Sequence, residues 1–217
     1  MARSESQILH LLDDELSGGL TPEEAPARDR LTGMLSREAL LARLEVTIAR
    51  AASQPRNGFA LLFLDLDRFK LVNHAYGHEA GDLLLRQVGE RIRATSRATD
   101  AVLPGTRGNA AARLGGDEFV VVLEQLSRPE EVHAVAERLL TAVAGDYWIQ
   151  GARVTTSVSI GIVHSDGGYR NASDLLRDAD TAMYAAKADG KNRWQVFRPD
   201  EELHPATPET PGTVRAR

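Results

Sequence analysis

The sequence contains no cysteine, and aromatic residues make up only 5% of its 217 residues. Without cysteine the chain cannot form disulfide bonds or thiolate zinc sites, and a reducing compartment suits it. An excess of basic residues is also missing, since the formal net charge is -5. A chain with this charge has no general attraction to nucleic acid or to anionic membranes, because both require a basic face.

Long hydrophobic runs are absent too. No apolar stretch approaches the roughly 20 residues that a transmembrane helix requires, and the N-terminus lacks the basic and apolar segments of a signal peptide. We therefore expect a soluble protein. With 42% hydrophobic and 26% charged residues, the chain can bury one core, so we expect one domain between two tails.

The domain is expected over residues 29–198. Residues 1–28 are expected to form a linker or short helix, or the end of an upstream region. The apolar patch at residues 8–12 fits a short helix that pairs with a partner, and it fits a weakly docked terminus equally well. Residues 199–217 are rich in proline and charge, which is typical of a disordered tail.

The spacing of apolar residues alternates between helical and extended along the domain. Helical spacing covers residues 36–52, 79–96, 129–144 and 173–189, with Ser173 as the N-cap of the last helix. Short apolar runs predict strands over residues 59–64, 112–114, 119–123, 147–149, 153–163 and 194–197. Since glycine-rich turns join neighbouring strands and helices lie between them, we predict an α/β (α+β) fold with a mixed or antiparallel central sheet.

Two acidic residues follow the apolar strand at 59–64 directly. Asp65 and Asp67 point to the same side of a strand end, and unpaired buried charge is unfavourable. Because Mg²⁺ prefers a few carboxylates together with water and substrate phosphates, the pattern predicts a divalent-metal site. A helix N-cap for the following segment is the alternative.

A second acidic pair follows two glycines. Gly115 and Gly116 supply the positive φ of a tight hairpin and let the backbone approach a ligand. Adjacent residues of a strand face opposite sides, so at most one of Asp117 and Glu118 is expected to face Asp65 easily. Read alone, this is a hairpin with solvated acids. Beside Asp65, three acids at adjoining strand ends indicate a cation that neutralises them.

Residues 73–82 offer polar groups that suit guanine. Asn73 provides a donor and an acceptor, and Asp82 provides acceptors, which matches the two donors and one acceptor of guanine and rejects adenine. Ordinary turn chemistry is the alternative. Lys70 and Lys187 are candidates for phosphate binding, although a single lysine is usually a solvated surface residue.

Six segments in order resemble the motifs of the GGDEF family of diguanylate cyclases, over about residues 29–197. These segments are residues 29–37, residues 65–70 followed by Asn73, residues 77–82, residues 115–119, residues 159–162 and residues 179–187. The fourth is the family signature, unaltered. The resemblance implies a fold akin to the polymerase palm, with a mixed, mostly antiparallel sheet of about five strands, flanking helices and a small extra hairpin.

The resemblance also implies a cytoplasmic bacterial enzyme of second-messenger signalling. It implies that two GTP molecules are condensed into cyclic di-GMP and two pyrophosphates at a homodimer interface, with Mg²⁺ or Mn²⁺ as cofactor. Asp65, Asp117 and the carbonyl group of Leu66 would bind the metal. Asp117 and Glu118 would be the catalytic residues, with Glu118 helping to deprotonate the attacking 3′-hydroxyl.

Other residues are implied to hold the substrate. Guanine would be bound by Asn73 and Asp82. The phosphates would meet backbone amides around Arg68, Phe69 and Lys70, and Lys187 and Lys191 would hold the triphosphate. Gly115 and Gly116 would also contact the substrate. The amides at residues 68–70 lie at a helix start, which favours an anion.

Three positions depart from the usual family pattern. Ser36 stands where Asn is common, and His74 stands where Asp is common. Lys191 stands where Arg is typical, which keeps the charge but loses the bidentate fork. None of these changes removes an expected metal ligand.

Arg97 and Asp100 match the family's Arg-x-x-Asp product-inhibition motif, but they lie farther from the signature than usual. An insertion over residues 103–111 accounts for this, and an ordinary surface pair is the alternative. For the whole chain, one rival is a catalytically silent module that binds GTP or cyclic di-GMP. A related cyclase that makes another nucleotide is the second rival. No sensory domain of useful size fits before Asp29.

Overall fold

The computed structural model describes residues 27–54, 58–96, 108–126, 128, 130–165 and 168–198. The patch at residues 8–12, the pair Arg97 and Asp100, and the tail at 199–217 lie outside the described residues. The elements in chain order are α1 (Arg37–Ser53), β1 (Gly58–Leu66), α2 (Phe69–Tyr76), α3 (His78–Ser96), β2 (Ala110–Gly115), β3 (Glu118–Leu126), α4 (Glu130–Val143), β4 (Gly145–Ile149), β5 (Ala152–Thr156), β6 (Val158–His164), α5 (Ala172–Ala188) and β7 (Trp194–Val196).

Five strands form the central sheet in the order β2-β3-β1-β6-β7, and β4 and β5 form a separate two-stranded hairpin. All neighbours in the central sheet are antiparallel except β6 and β7, which are parallel. The prediction of a mixed, mostly antiparallel sheet with flanking helices and an extra hairpin is therefore confirmed.

Helices cover both faces of the sheet. On β1, Leu62 and Leu64 belong to the core that α3 and α4 cover, whereas Leu61 and Phe63 belong to the core that α1 and α5 cover. Because successive side chains of a strand point to opposite faces, a strand covered on both faces is apolar at every position. This explains the unbroken apolar run in β1.

Helix α5 packs unusually close to β6, and this closeness requires a glycine. A Cβ atom at Gly161 would lie 1.9 Å from the carbonyl oxygen of Ala179 and 2.4 Å from the amide nitrogen of Met183. Both are backbone atoms, so neither can move aside easily. The absence of a side chain at Gly161 therefore sets the distance between α5 and the sheet.

Two predicted strand boundaries were wrong. The strand expected over residues 153–163 is interrupted at Ser157, because β5 pairs with β4 whereas β6 pairs with β1. The two strands follow so closely that their apolar residues read as one run. The strand expected over residues 112–114 begins earlier, at Ala110, since Ala110 and Ala111 pair with Val122 and Val121 in β3. The expected insertion over residues 103–111 stays a prediction.

Two helical features also differ from expectation. The N-cap of α5 is Asn171, whose side chain accepts a hydrogen bond from the amide of Asp174 over 2.8 Å, so the cap is not Ser173. The family resemblance implied a helix start at residues 68–70, but the spacing of apolar residues did not predict helix α2, because its eight residues are too few to show a clear period. Among the described residues, no helix is long and apolar enough to cross a membrane.

Candidate active site

Two strands of the central sheet bring acidic residues together. Asp65 lies near the end of β1, and Glu118, the first residue of β3, is its direct cross-strand partner. The amide of Leu66 donates a hydrogen bond to the carbonyl oxygen of Asp117 over 3.4 Å. Like charges that lie directly opposite in a sheet repel each other, so negative charge is concentrated at this end of the sheet.

Asp117 lies in the turn before β3 and is not part of the strand. Gly115 and Gly116 have φ values of 150° and 49°, which side chains rarely tolerate. The rule that adjacent strand residues face opposite sides does not apply to a turn residue. Asp117 and Glu118 both lie close enough to interact electrostatically with Asp65. The expectation that at most one of them easily faces Asp65 stays a prediction.

Lys187, in the last turn of α5, reaches into this group of acids. Its Nζ lies 2.6 Å from Oδ1 of Asp65, and the two side chains are 27% and 12% exposed. The positive charge of Lys187 also acts on Asp117 and on Asp180, which lies earlier on α5. A lysine predicted to bind phosphate thus contacts a carboxylate predicted to bind metal.

The carboxyl groups at this site have raised pKa values. Burial raises the pKa of Asp65 to about 6, with a further increase from the charge of Asp117 and a decrease from Lys187. Burial raises the pKa of Glu118 to about 7, and the charges of Asp65 and Asp180 add to the increase. The pKa values of Asp117 and Asp180 are raised mainly by burial. Carboxyl groups perturbed together in this way are typical of functional sites.

The predicted metal ligands were Asp65, Asp117 and the carbonyl group of Leu66. Nowhere in the described ranges do three or more His, Asp or Glu side chains form a ready ligand set. Mg²⁺ bound with a nucleotide needs only one or two carboxylates, because phosphates and water provide the other ligands. Two carboxyl groups that repel each other, the buried Asp65 and the half-buried Asp117, meet this requirement. The residues therefore suit a metal that arrives with a phosphate.

Arg113 on β2 holds the glycine turn in place. Its Nε and Nη2 donate hydrogen bonds to the carbonyl oxygen of Gly116 over 3.0 and 2.7 Å. Its Nη1 lies 3.0 Å from Oδ2 of Asp29 in an ion pair. Asp29 also accepts hydrogen bonds from the amide and hydroxyl of Thr32. Sequence reasoning missed this role, for which the available signal was an arginine two residues before the glycine pair.

Helix α2 begins close to the acidic residues and offers backbone amides. Arg68 precedes the helix in a left-handed conformation with φ of 63°, and it makes no side-chain hydrogen bond that caps the helix. The first amides of a helix have no partner within it, so those near Phe69 and Lys70 are suited to an anion. Phe69 is buried, whereas the side chains of Arg68 and Lys70 are exposed.

Asn73 and Asp82, the predicted guanine-binding pair, come from neighbouring helices. A Cβ atom at Gly81 would lie 1.9 Å from Oδ1 of Asn73, so Asn73 on α2 lies directly against α3, one residue before Asp82. Oδ1 of Asn73 is buried and has no hydrogen-bond partner among the described residues, whereas Asp82 is exposed. A buried acceptor without a partner is unfavourable, and a ligand with N–H donors would satisfy it.

Asp67 does not join the acidic group, although it lies two residues after Asp65. Its carboxylate accepts hydrogen bonds from Ser157 Oγ over 2.6 Å, from Ser159 Oγ over 2.8 Å and from the amide of Asn192 over 3.1 Å. Lys191 lies in the same turn as Asn192 and is exposed. The hydrogen bonds of Asp67 thus differ from the contacts of Asp65, although the charge of Asp67 still adds to the raised pKa of Asp65.

The described residues on the two sides of positions 97–107 lie close together. The side-chain amide of Asn109 donates a hydrogen bond to the carbonyl oxygen of Ser96, the last residue of α3, over 2.8 Å. The backbone amide of Gly108 donates to Glu124 over 3.2 Å. The chain thus leaves α3 and returns to β2 at neighbouring points.

The sequence matches the model of one protein family, described as diguanylate cyclase, GGDEF domain, over residues 26–193. Among curated proteins, the bifunctional diguanylate cyclase/cyclic di-GMP phosphodiesterase MucR of Pseudomonas aeruginosa is 44% identical over 169 residues, which are 78% of this chain and 23% of MucR. Diguanylate cyclase TpbB of the same species is 35% identical over 192 residues, which are 84% of this chain and 42% of TpbB. The chain therefore spans less than half the length of these relatives.

The fold resembles that of solved structures from the same group. The GGDEF domain of DgcB from Caulobacter crescentus, solved in complex with cyclic di-GMP, superposes with a TM-score of 0.70 at 25% identity. The match covers 80% of this chain and 96% of the DgcB chain. The likeness thus extends over nearly the whole of that domain.

Proposed function

Because the chain belongs to the GGDEF domain family, we propose that it is a diguanylate cyclase that condenses two GTP molecules into cyclic di-GMP and releases two pyrophosphates. The observation that carries this proposal is the group of carboxyl groups with raised pKa values around Asp65 and Glu118. It lies beside a helix start that suits phosphate. A site with these features requires a cation and receives an anionic substrate.

Each chain binds one GTP in this proposal. Asn73 and Asp82 bind the guanine, with the unpartnered Oδ1 of Asn73 accepting from an N–H of the base. The amides at the start of α2 and the turn at Gly116 receive the phosphates. Lys187 exchanges Asp65 for a phosphate oxygen, because its ammonium group already lies at the site.

Asp65, Asp117 and the carbonyl group of Leu66 would hold Mg²⁺ or Mn²⁺. When bound, the metal supplies charge neutralisation at the α-phosphate and the leaving pyrophosphate. A cation held there would also favour the ionised form of Asp65, whose pKa is raised by burial and by the charge of Asp117. The acidic residues can lie this close together in their ionised forms only when a cation offsets their mutual repulsion.

Glu118 takes the proton of the attacking 3′-hydroxyl. Burial and the charges of Asp65 and Asp180 raise the pKa of Glu118 to about 7 in the metal-free protein, and a raised pKa makes a carboxylate a stronger base. The 3′-oxygen of one GTP forms a bond with the α-phosphorus of the other, and the bond to pyrophosphate breaks. Two chains related by a two-fold axis carry out this step twice, once in each direction.

The test is incubation of the purified chain with GTP and Mg²⁺, followed by chromatographic separation of the nucleotides. We expect cyclic di-GMP from the parent protein and none from the Asp117→Asn or Glu118→Gln variants. Glu90→Gln serves as the matched control, because Glu90 is an exposed acid on α3. Undiminished product formation by both active-site variants would refute the proposal.

The same experiment distinguishes the two rivals. GTP that binds tightly but yields no product at high protein concentration identifies a silent binding module. Turnover of ATP in place of GTP identifies a cyclase of another specificity and contradicts the guanine-binding role of Asn73 and Asp82.

A further inference from the structure

Asp67 is a buried acid that the proposed mechanism leaves without a role. It is 3% exposed, and its carboxylate accepts three hydrogen bonds, from Ser157, Ser159 and Asn192. The backbone of Asp67 is fixed as well, since its amide donates to the carbonyl oxygen of Ser157 over 2.9 Å and its carbonyl oxygen accepts from Thr156 over 3.0 Å. The orientation of the Asp67 carboxylate is therefore firmly determined.

The turn that Asp67 contacts has an unfavourable backbone conformation. Lys191 and Asn192 both have positive φ, at 65° and 48°, and neither is a glycine. Residues other than glycine persist in this region only when the surrounding structure holds them there. The hydrogen bond from the Asn192 amide to Oδ2 of Asp67 is one such restraint.

Two other contacts hold the ends of this turn. The amide of Lys191 donates to the carbonyl oxygen of Ala186 on α5 over 3.1 Å, and the amide of Ile160 on β6 donates to the carbonyl oxygen of Arg193 over 2.9 Å. These bonds attach the turn to α5 and to β6. The bond to Asp67 attaches it to the end of β1, two residues from Asp65.

We propose that Asp67 is a positioning residue that fixes Lys191 relative to Asp65, so that the lysine meets the triphosphate of GTP. This inference rests on the proposed function of the site. Asp67 itself touches no substrate; it acts through the amide of Asn192 and the conformation of the preceding lysine. The carboxylate thus sets the distance between the metal-binding end of β1 and a phosphate-binding cation.

The decisive variant is Asp67→Asn, which keeps the shape but removes the charge that strengthens all three hydrogen bonds. We expect binding of GTP, measured calorimetrically on the full chain with Mg²⁺, to weaken by about tenfold, as for loss of one charge-assisted contact. Binding of GMP, which lacks the β- and γ-phosphates, should change by less than about twofold. Equal weakening of GTP and GMP binding would overturn the proposal.

A double-mutant cycle with Lys191→Ala separates positioning from general destabilisation. If Asp67 acts through Lys191, the Asp67→Asn change has no further effect on GTP binding once the lysine is removed. Additive effects of the two changes would contradict the proposal. Should Asp67→Asn fail to fold, Ser157→Ala removes one donor to the same carboxylate, and the same two comparisons apply.

Glu124→Gln is the matched control. Glu124 is also a buried acid held by hydrogen bonds, with a side chain 4% exposed. Its partners are Arg43, Thr47 and Arg50 on α1, together with the backbone amide of Gly108. At an equal loss of stability it should leave the ratio of GTP to GMP affinity unchanged. A shift of that ratio as large as that of Asp67→Asn would mean that stability alone is responsible.

Cyclase assays of the parent protein keep the two proposals distinct. If the parent makes no cyclic di-GMP while Asp67→Asn still weakens GTP selectively, the proposed function fails and the positioning role stands. If the parent makes cyclic di-GMP while Asp67→Asn weakens both ligands equally, the positioning role fails alone.

Discussion

Replacing Glu118 by glutamine should stabilise the metal-free protein while abolishing product formation. The pKa of Glu118 is raised to about 7, from 4.5 for an ordinary glutamate, by burial and by neighbouring acids. The folded state therefore binds the proton more tightly than the unfolded state does. This contribution to stability is complete below about pH 4.5 and is lost as the pH rises through 7. Ionised Glu118 thus destabilises the fold at pH 8.

The size of the effect follows from this pKa. Each pH unit between the two values corresponds to about 1.4 kcal/mol, which sets an upper limit of about 3 kcal/mol at pH 8. Glu118 is partly exposed, so solvent screening reduces the expected gain for Glu118→Gln to about 1–2 kcal/mol. For a domain of this size, that gain corresponds to an increase in Tm of about 2–8 °C.

The assay is urea or thermal unfolding of both proteins without metal, from pH 5 to pH 8. The advantage of Glu118→Gln should be largest at pH 8 and should shrink toward pH 5, where Glu118 is protonated in the parent. Glu90→Gln provides the baseline for an exposed acid. A variant that is equally stable at every pH, or less stable at pH 8, would refute the account of the acidic site.

Three further predictions concern the same site. Gly81→Ala should weaken GTP binding by about tenfold or more, because its Cβ would collide with Oδ1 of Asn73. Gly58→Ala is the control, since its Cβ would make its nearest contact at an ordinary 3.5 Å. Equal GTP affinities of Gly81→Ala and the parent in a calorimetric titration would contradict the role of Asn73. Arg113→Ala should lower kcat by about tenfold or more, because the carbonyl of Gly116 loses both guanidinium donors. An unchanged kcat would show that the glycine turn keeps its conformation without Arg113. Binding of GTP with Mg²⁺ should release protons and tighten between about pH 6 and pH 8. Asp65, with a pKa of about 6, must ionise to accept the metal, and the nearby cation favours ionisation of Glu118, whose pKa is about 7. Calorimetry in two buffers of different ionisation enthalpy measures the release, and its absence would contradict these pKa directions.

The central sheet was predictable because its strands have distinct apolar patterns. β1 is buried on both faces and reads as an unbroken run, and Gly115 and Gly116 mark a hairpin whose φ values are positive as expected. The break at Ser157 was not predictable, because it depends on which partner each half-strand pairs with. Pairing is a long-range property that local spacing does not record.

The acidic residues of the site were identifiable from the sequence, but local spacing did not distinguish the surroundings of Asp65 from those of Asp67. Asp65 and Asp67 have the same local pattern, and only contacts from β6 and the turn after α5 separate them. Ser159 and Asn192, which hold Asp67, are 92 and 125 residues away in sequence. The same holds for Arg113, whose partner Asp29 is 84 residues away.

The most direct test of the central claim is the initial rate of cyclic di-GMP formation from GTP as a function of protein concentration. If two chains must each present a GTP to the other, the rate per chain rises with concentration until the dimer is complete. Cyclic di-GMP that forms with such a concentration dependence, and that disappears in Asp117→Asn, is the predicted result. A folded parent protein that binds GTP with Mg²⁺ but yields no cyclic di-GMP at any concentration would contradict the account.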